Sequence, residues 1–126
     1  MVLIIGGAFQ GKLDYAVNRF GLREEEIFFC SDEDAACPAG KRAVYEIDKW
    51  VLSLIRADKN IPEETQQFLK ENKDAIIICN DISCGVVPID AQMRRWREEV
   101  GRFLGLLARE SGEVIRMYCG IATKLK

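Results

Sequence analysis

The residues best equipped for chemistry lie near the amino terminus, where Gly6-Gly7-Ala8-Phe9-Gln10-Gly11-Lys12-Leu13 follows a short apolar run. This segment fits the phosphate-loop pattern GxxxxGK[ST] at every fixed position except the last. Glycines there let backbone N–H groups turn inward around a phosphate, and the helix that follows adds its positive end. A lysine neutralises charge on the terminal phosphates. Gly6, Gly7, Ala8, Phe9, Gln10, Gly11, Lys12 and Leu13 are therefore the expected nucleotide-binding residues, and Lys12 is also the expected catalytic cation; the plain alternative is a glycine turn with an exposed lysine. Leu13 departs from the pattern, because a hydroxyl at this place normally holds the Mg²⁺ that bridges the phosphates. Either other groups and water hold the metal, which Mg²⁺ tolerates, or the loop binds nucleotide without efficient turnover. Asp14 faces a different side of the helix and is a weak substitute.

A second set of residues follows the apolar run 76–79. Asn80-Asp81 ends it with a carboxylate, the arrangement that brings an acid near bound Mg²⁺ in phosphate-loop proteins. Asp81 is the expected metal ligand and second catalytic residue, although an Asp after a strand also serves as an ordinary turn residue. Further on, Arg94, Arg97 and Arg102 are candidates for contacts with phosphate or substrate, with Arg94 and Arg97 the expected substrate-binding pair. The competing reading is a solvated helix face paired with Glu98 and Glu99.

The elements that must carry these residues alternate between strand and helix. Residues 2–5 read as a central parallel strand buried on both faces, and residues 12–20 as a helix stopped by Gly21. Residues 27–30 form a second apolar run, and residues 35–42 a loop. Val44, Ile47, Val51, Leu52 and Ile55 share one face of a helix predicted over 43–55, and a further helix runs from Ile61-Pro62 to Asn72. Residues 75–79 are a third strand and 80–90 a loop. Asp90 is the N-cap of a long helix reaching residue 110, with Met93, Trp96, Val100, Phe103, Leu104 and Leu107 on one stripe that serves as core or interface. Gly101 and Gly105, four apart, suit a close contact. Residues 114–119 are a fourth strand. The pattern predicts an α/β fold with a mainly parallel sheet and helices on both faces, in one nucleotide-binding domain over 1–126.

Composition narrows the chemistry. The 126-residue chain contains no histidine, which removes Ser-His-Asp and Cys-His catalysis, His-ligated zinc and any covalent histidine intermediate. Its formal net charge of −2 offers no overall reason to bind a polyanion, so nucleic acid is not an expected partner. The five cysteines form no CxxC pair and read as ordinary thiols of a reduced, cytoplasmic chain. The amino-terminal apolar run is too short for a signal peptide or a membrane span.

The second loop and its helix make the reading more specific. Asn80-Asp81-Ile82-Ser83-Cys84-Gly85-Val86-Val87-Pro88 resembles the NEVGxGIVP segment of the adenosylcobinamide kinase/adenosylcobinamide-phosphate guanylyltransferase family. Arg94, Trp96, Arg97, Glu98, Gly101 and Arg102 are similar to its R-x-F-R-D-x-x-G-R pattern, with Trp for Phe and Glu for Asp. The glycine loop is similar to the family's GGARSGKS, and Gly120 with Leu125-Lys126 to its G-x-x-x-x-L/I-K ending. The resemblance covers about residues 1–19 and 75–126. It implies a P-loop NTPase-like fold, a homo-oligomer, and phosphorylation of the aminopropanol hydroxyl of adenosylcobinamide by ATP or GTP with Mg²⁺, in cobalamin synthesis or salvage. The family's second reaction passes GMP through a histidine, which this chain lacks, so guanylyl transfer cannot follow that route. Its nucleotidylation helix and metal-binding strand motif have no clear counterpart between Cys30 and Asn72. Asp48 and Trp50 match its D-C-L-T-x-W stretch only faintly and receive no role. The expected function is a kinase acting on adenosylcobinamide; the competing classes are a non-catalytic nucleotide-binding or subunit-interaction module and a kinase with another acceptor.

Overall fold

The computed structural model describes residues 1–82 and 90–126, so the Ser83 to Pro88 part of the second motif lies outside the described residues. The chain runs β1 (Val2–Gly6), α1 (Lys12–Phe20), a 3₁₀ turn (Glu24–Glu26), β2 (Ile27–Phe29), β3 (Ala43–Tyr45), α2 (Ile47–Arg56), α3 (Ile61–Glu71), β4 (Ile76–Asn80), α4 (Ala91–Glu110), β5 (Glu113–Tyr118) and β6 (Ile121–Lys124). The strands form one sheet in the order β2-β3-β4-β1-β5-β6. All neighbours are parallel except β5 and β6. Because β1 pairs with β4 on one side and β5 on the other, Val2 lies opposite both Ile76 and Glu113. The central parallel strand and the α/β architecture are as the apolar runs predict, and the fold is that of a P-loop NTPase-like chain.

Successive side chains of a strand point to opposite faces, and this divides the core in two. Leu3, Val44, Ile77, Cys79 and Val114 meet α2, α3 and α4, where Trp50, Phe68 and Phe103 pack ring against ring with centroids 5.3–6.0 Å apart. Ile4, Ala43, Ile76, Ile78, Ile115 and Met117 meet Ala16 of α1, together with Leu22 and Ile27. The helix ends follow their local chemistry. Asp90 caps α4 by accepting the amides of Gln92 and Met93, Asn60 caps α3 through Glu63, and Gly21 ends α1 at φ 62°.

Two expectations need correction, and one strand is added to those expected. The helix expected over 43–55 begins only at Ile47, because residues 43–45 are strand β3, hydrogen-bonded between β2 and β4 with Ala43 and Val44 fully buried. Val44 fits the helical stripe by spacing alone, and a short apolar run does not tell strand from helix. The chain also adds an edge strand at 121–124, whose four residues are all exposed and so leave no hydrophobic period to read. Among the described residues Gly101 and Gly105 make no close contact: a Cβ at Gly101 would meet nothing within 4 Å, and one at Gly105 only the end of the Arg109 side chain. The α4 stripe does serve as core, with Val100, Phe103 and Leu107 buried and Trp96 half-buried.

Candidate functional site

Parallel strands deliver their carboxyl ends to one edge of the sheet, and in open α/β sheets ligand crevices form at that edge. Here β1 leads into the glycine loop and α1, β3 leads into α2, and β4 ends in Asn80. Together they border a cavity of about 640 Å³ lined by residues 8–14 of the loop and helix, by Tyr45, Glu46 and Lys49, and by Asn80.

The loop has the conformation its glycines allow. At Gly6 there is no space for a side chain, since a Cβ would stand 2.5 Å from the carbonyl oxygen of Met117. Gly11 takes the left-handed conformation at φ 86° and begins α1 without a side-chain cap, so the first turn of the helix receives no protein side-chain acceptor from its cap residue. Lys12 folds back beneath the loop, where Nζ donates to the carbonyl of Gly7 at 2.5 Å. Only 4% of its surface is exposed. Burial pulls its pKa below the ordinary 10.5, against the opposing pull of the carboxylates of Asp48 and Glu46. Phe9, at the crown, is fully exposed with φ 60°.

The acidic side of the cavity comes from α2. Glu46 is its N-cap residue and adopts φ 59°, a left-handed conformation that costs roughly 1–2 kcal/mol in a residue with a side chain. Its carboxylate pairs with Lys49 at 3.1 Å and accepts Asn80 Nδ2 at 3.3 Å. Asp48, in the first turn of the helix, is 3% exposed. Its Oδ1 accepts the backbone N–H of Asn80 at 3.1 Å, its Oδ2 accepts Asn80 Nδ2 at 3.4 Å, and its main-chain carbonyl accepts Trp96 Nε1 from α4 at 2.7 Å. Burial raises the Asp48 pKa above 3.8, and the Asn80 hydrogen bonds pull the other way. Asp48 thus joins α2, β4 and α4 below the site and supplies counter-charge to Lys12.

The expected site residues fall into two groups. Ala8, Phe9, Gln10, Gly11, Lys12 and Leu13 line the cavity, while Gly6 and Gly7 form its entry from β1. Asp81 sits one residue beyond the lining Asn80, with its amide donating to the Gly6 carbonyl at 2.8 Å. Arg94 and Arg97 lie in the first two turns of α4, exposed and half-buried respectively, and neither lines the cavity. Arg102 pairs with Glu99 at 2.6 Å, as the solvated-face reading has it. Sequence reasoning missed Tyr45, Glu46, Lys49 and Asn80 in the lining, set Asp14 on a different side of the helix although it too lines the cavity, and gave no role to Asp48. The one available signal was an acidic pair closing a short apolar run, which an expected helix over the same residues concealed.

A Mg²⁺ ion is held through one or two carboxylates, with water and phosphate oxygens completing the octahedron. Glu46 brings one carboxylate to the cavity wall, a hard oxygen donor of the kind Mg²⁺ accepts, and among the described residues no group of three or more acidic or thiol side chains gathers around a metal position. Among the described residues no helix is long and apolar enough to cross a membrane.

Residues 41–125 match the family described as cobinamide kinase / cobinamide phosphate guanyltransferase, an enzymatic family of cobalamin biosynthesis. The match begins just before β3 and runs through the Asp48, Asn80 and α4 contacts to the end of the hairpin; the glycine loop precedes it. No individually curated protein matches the chain. With more than half of its length matched, and with the sheet and the loop arranged as above, this chain belongs to the cobinamide kinase / cobinamide phosphate guanyltransferase family.

Proposed function

We propose that the protein is a single-domain, nucleoside-triphosphate-dependent kinase that phosphorylates the aminopropanol hydroxyl of adenosylcobinamide, and that it does not carry out histidine-dependent guanylyl transfer. The observation that carries this reading is Lys12: a buried lysine held under a glycine loop, at a helix start without a side-chain cap, facing a cavity with carboxylates on its far side. ATP or GTP would place its terminal phosphates against the loop amides and Lys12. In the transfer, the acceptor hydroxyl oxygen forms a bond to the terminal phosphorus as the bond to the bridging oxygen breaks. The hydroxyl proton leaves toward the carboxylates at the cavity, and the nucleoside diphosphate departs. Phosphoryl transfer depends mostly on positioning and charge neutralisation, so the absence of histidine does not prevent it. Glu46 and the nearby Asp81 are the residues that would hold Mg²⁺, which when bound would offset phosphate charge. Arg94 and Arg97 are kept in this proposal as contacts for the acceptor, and a homo-oligomer in the cytoplasm as its setting.

The test is transfer from terminally labelled ATP and GTP to cobinamide with Mg²⁺ present. Labelled cobinamide phosphate is expected, and Lys12→Ala should reduce its formation by roughly 10²–10³-fold, the usual effect of removing one donor aimed at transition-state charge, while the circular dichroism spectrum is retained. Unchanged turnover in that variant overturns the phosphate-loop assignment. Leu13 favours the second reading, a nucleotide-binding module without turnover, and folded protein that binds nucleotide yet makes no product selects it.

A further inference from the structure

The β5–β6 hairpin holds the phosphate loop from outside the cavity. Gln10 accepts two backbone donors from its turn: the Cys119 N–H reaches Oε1 at 2.5 Å, and the Gly120 N–H reaches the main-chain carbonyl at 3.2 Å. Two further approaches flank them. Met117 carbonyl closes off the space above Gly6, and Gly120 Cα stands 3.6 Å from where a Cβ of Gly11 would be. The turn itself is built for this. Cys119 at φ 51° and Gly120 at φ 75° form a two-residue connection between the paired Tyr118 and Ile121, and in such hairpins the two central amides are not used by the strand ladder. Both are used here on one loop residue.

We infer that Gln10 is a positioning residue, and that residues 117–120 are the backstop that sets the geometry of the phosphate loop. The GxxxxGK pattern leaves residue type free at this place, so phosphate binding does not itself require a carboxamide. A side-chain acceptor long enough to meet Cys119 is what the hairpin requires. The hairpin thereby belongs to the nucleotide site although it lines none of the cavity, and it links the loop to the sheet edge most distant from β2. The functional part of this inference rests on the loop binding nucleotide, as proposed above.

Three variants test it: Gln10→Met keeps the length and removes the acceptor, Gln10→Glu keeps an acceptor, and Gly120→Ala strains the turn from outside the loop. Amide hydrogen exchange of the ligand-free protein and calorimetric affinity for ATP and GTP are measured for each. Gln10→Met should speed exchange at Cys119 and Gly120 and in the loop, leave β1 and β4 unchanged, and weaken nucleotide binding about tenfold, on the scale of one lost hydrogen bond. Gln10→Glu should restore slow exchange at Cys119, and Gly120→Ala should act as Gln10→Met does but less. Unchanged exchange in Gln10→Met overturns the fastening, and faster exchange with unchanged affinity overturns its role in binding. A wild-type protein that binds neither nucleotide overturns the proposed function and, with it, the functional role of Gln10, while the exchange comparison still judges the fastening itself.

Discussion

On one face of the sheet three helices close over Leu3, Val44, Ile77 and Val114, with Trp50, Phe68 and Phe103 in mutual contact among them. On the other face α1 alone lies over Ile4, Ile78, Ile115 and Met117, with Ala16 its one fully buried apolar residue. The first face contains the large aromatic side chains, whose burial contributes most to stability. The second contains the helix whose first residue is Lys12. A shift of α1 on the sheet therefore moves the glycine loop directly, whereas disturbance among the aromatic rings reaches the cavity through α2, which carries Glu46, Asp48 and Lys49. The glycine loop and the aromatic core thus sit on opposite faces of the same sheet.

The largest effect that would break or support this contrast is expected at Trp50. Trp50→Ala should cost about 3–5 kcal/mol by leaving a cavity at the centre of the aromatic group, read from the urea midpoint, while the folded fraction keeps its nucleotide affinity. A parallel loss of affinity in the folded fraction would show that the faces are not separate. On the other side, Ala16→Leu should cost about 1–3 kcal/mol by overpacking, yet lower nucleotide affinity by a larger factor than Trp50→Ala does. Titration calorimetry on both variants gives the comparison; equal affinities would remove α1 as the lever.

The smallest effect concerns Asp48, where the two faces meet. Because burial holds its pKa above 3.8 in the folded chain, the native state binds this proton more tightly than the unfolded one. The associated stability is fully present below 3.8 and is lost as pH rises through the folded-state value. Asp48→Asn should therefore flatten that stretch of the stability–pH curve, measured as denaturation midpoints from 3.8 upward. A curve of unchanged slope would mean that Asp48 is not held above its ordinary value.

Much of the loop was legible because its information is local. An apolar run, a set of glycines and a helical period within residues 2–20 specify strand, turn and helix without help from distant contacts. Asp90, Gly21 and the α4 stripe were readable for the same reason, as caps and periods acting over a few residues. The opposite holds for Glu46 and Asp48. They lie more than thirty residues from Lys12 in sequence, and they reach it because Tyr45 pairs with Ile78 and so puts the end of β3 beside the end of β4. The same three-residue strand misled the helical reading, since Val44 satisfies both periods. For Asp81, the strand-end position was readable, but the side of the strand end facing the cavity was not, and it is Asn80 that lines it.

What the sequence determined by itself was the order of elements around the phosphate loop, the lysine at the helix start, and the absence of any histidine to carry a nucleotidyl group. Only the tertiary structure decided which carboxylates face that lysine and which turn supports the loop. Both follow from strand register and from hydrogen bonds across the sheet, as when Gln10 accepts from Cys119. Local propensity acts over a few residues, whereas the desolvation of Lys12 and the register that brings Asp48 beside it exist only once the sheet has closed.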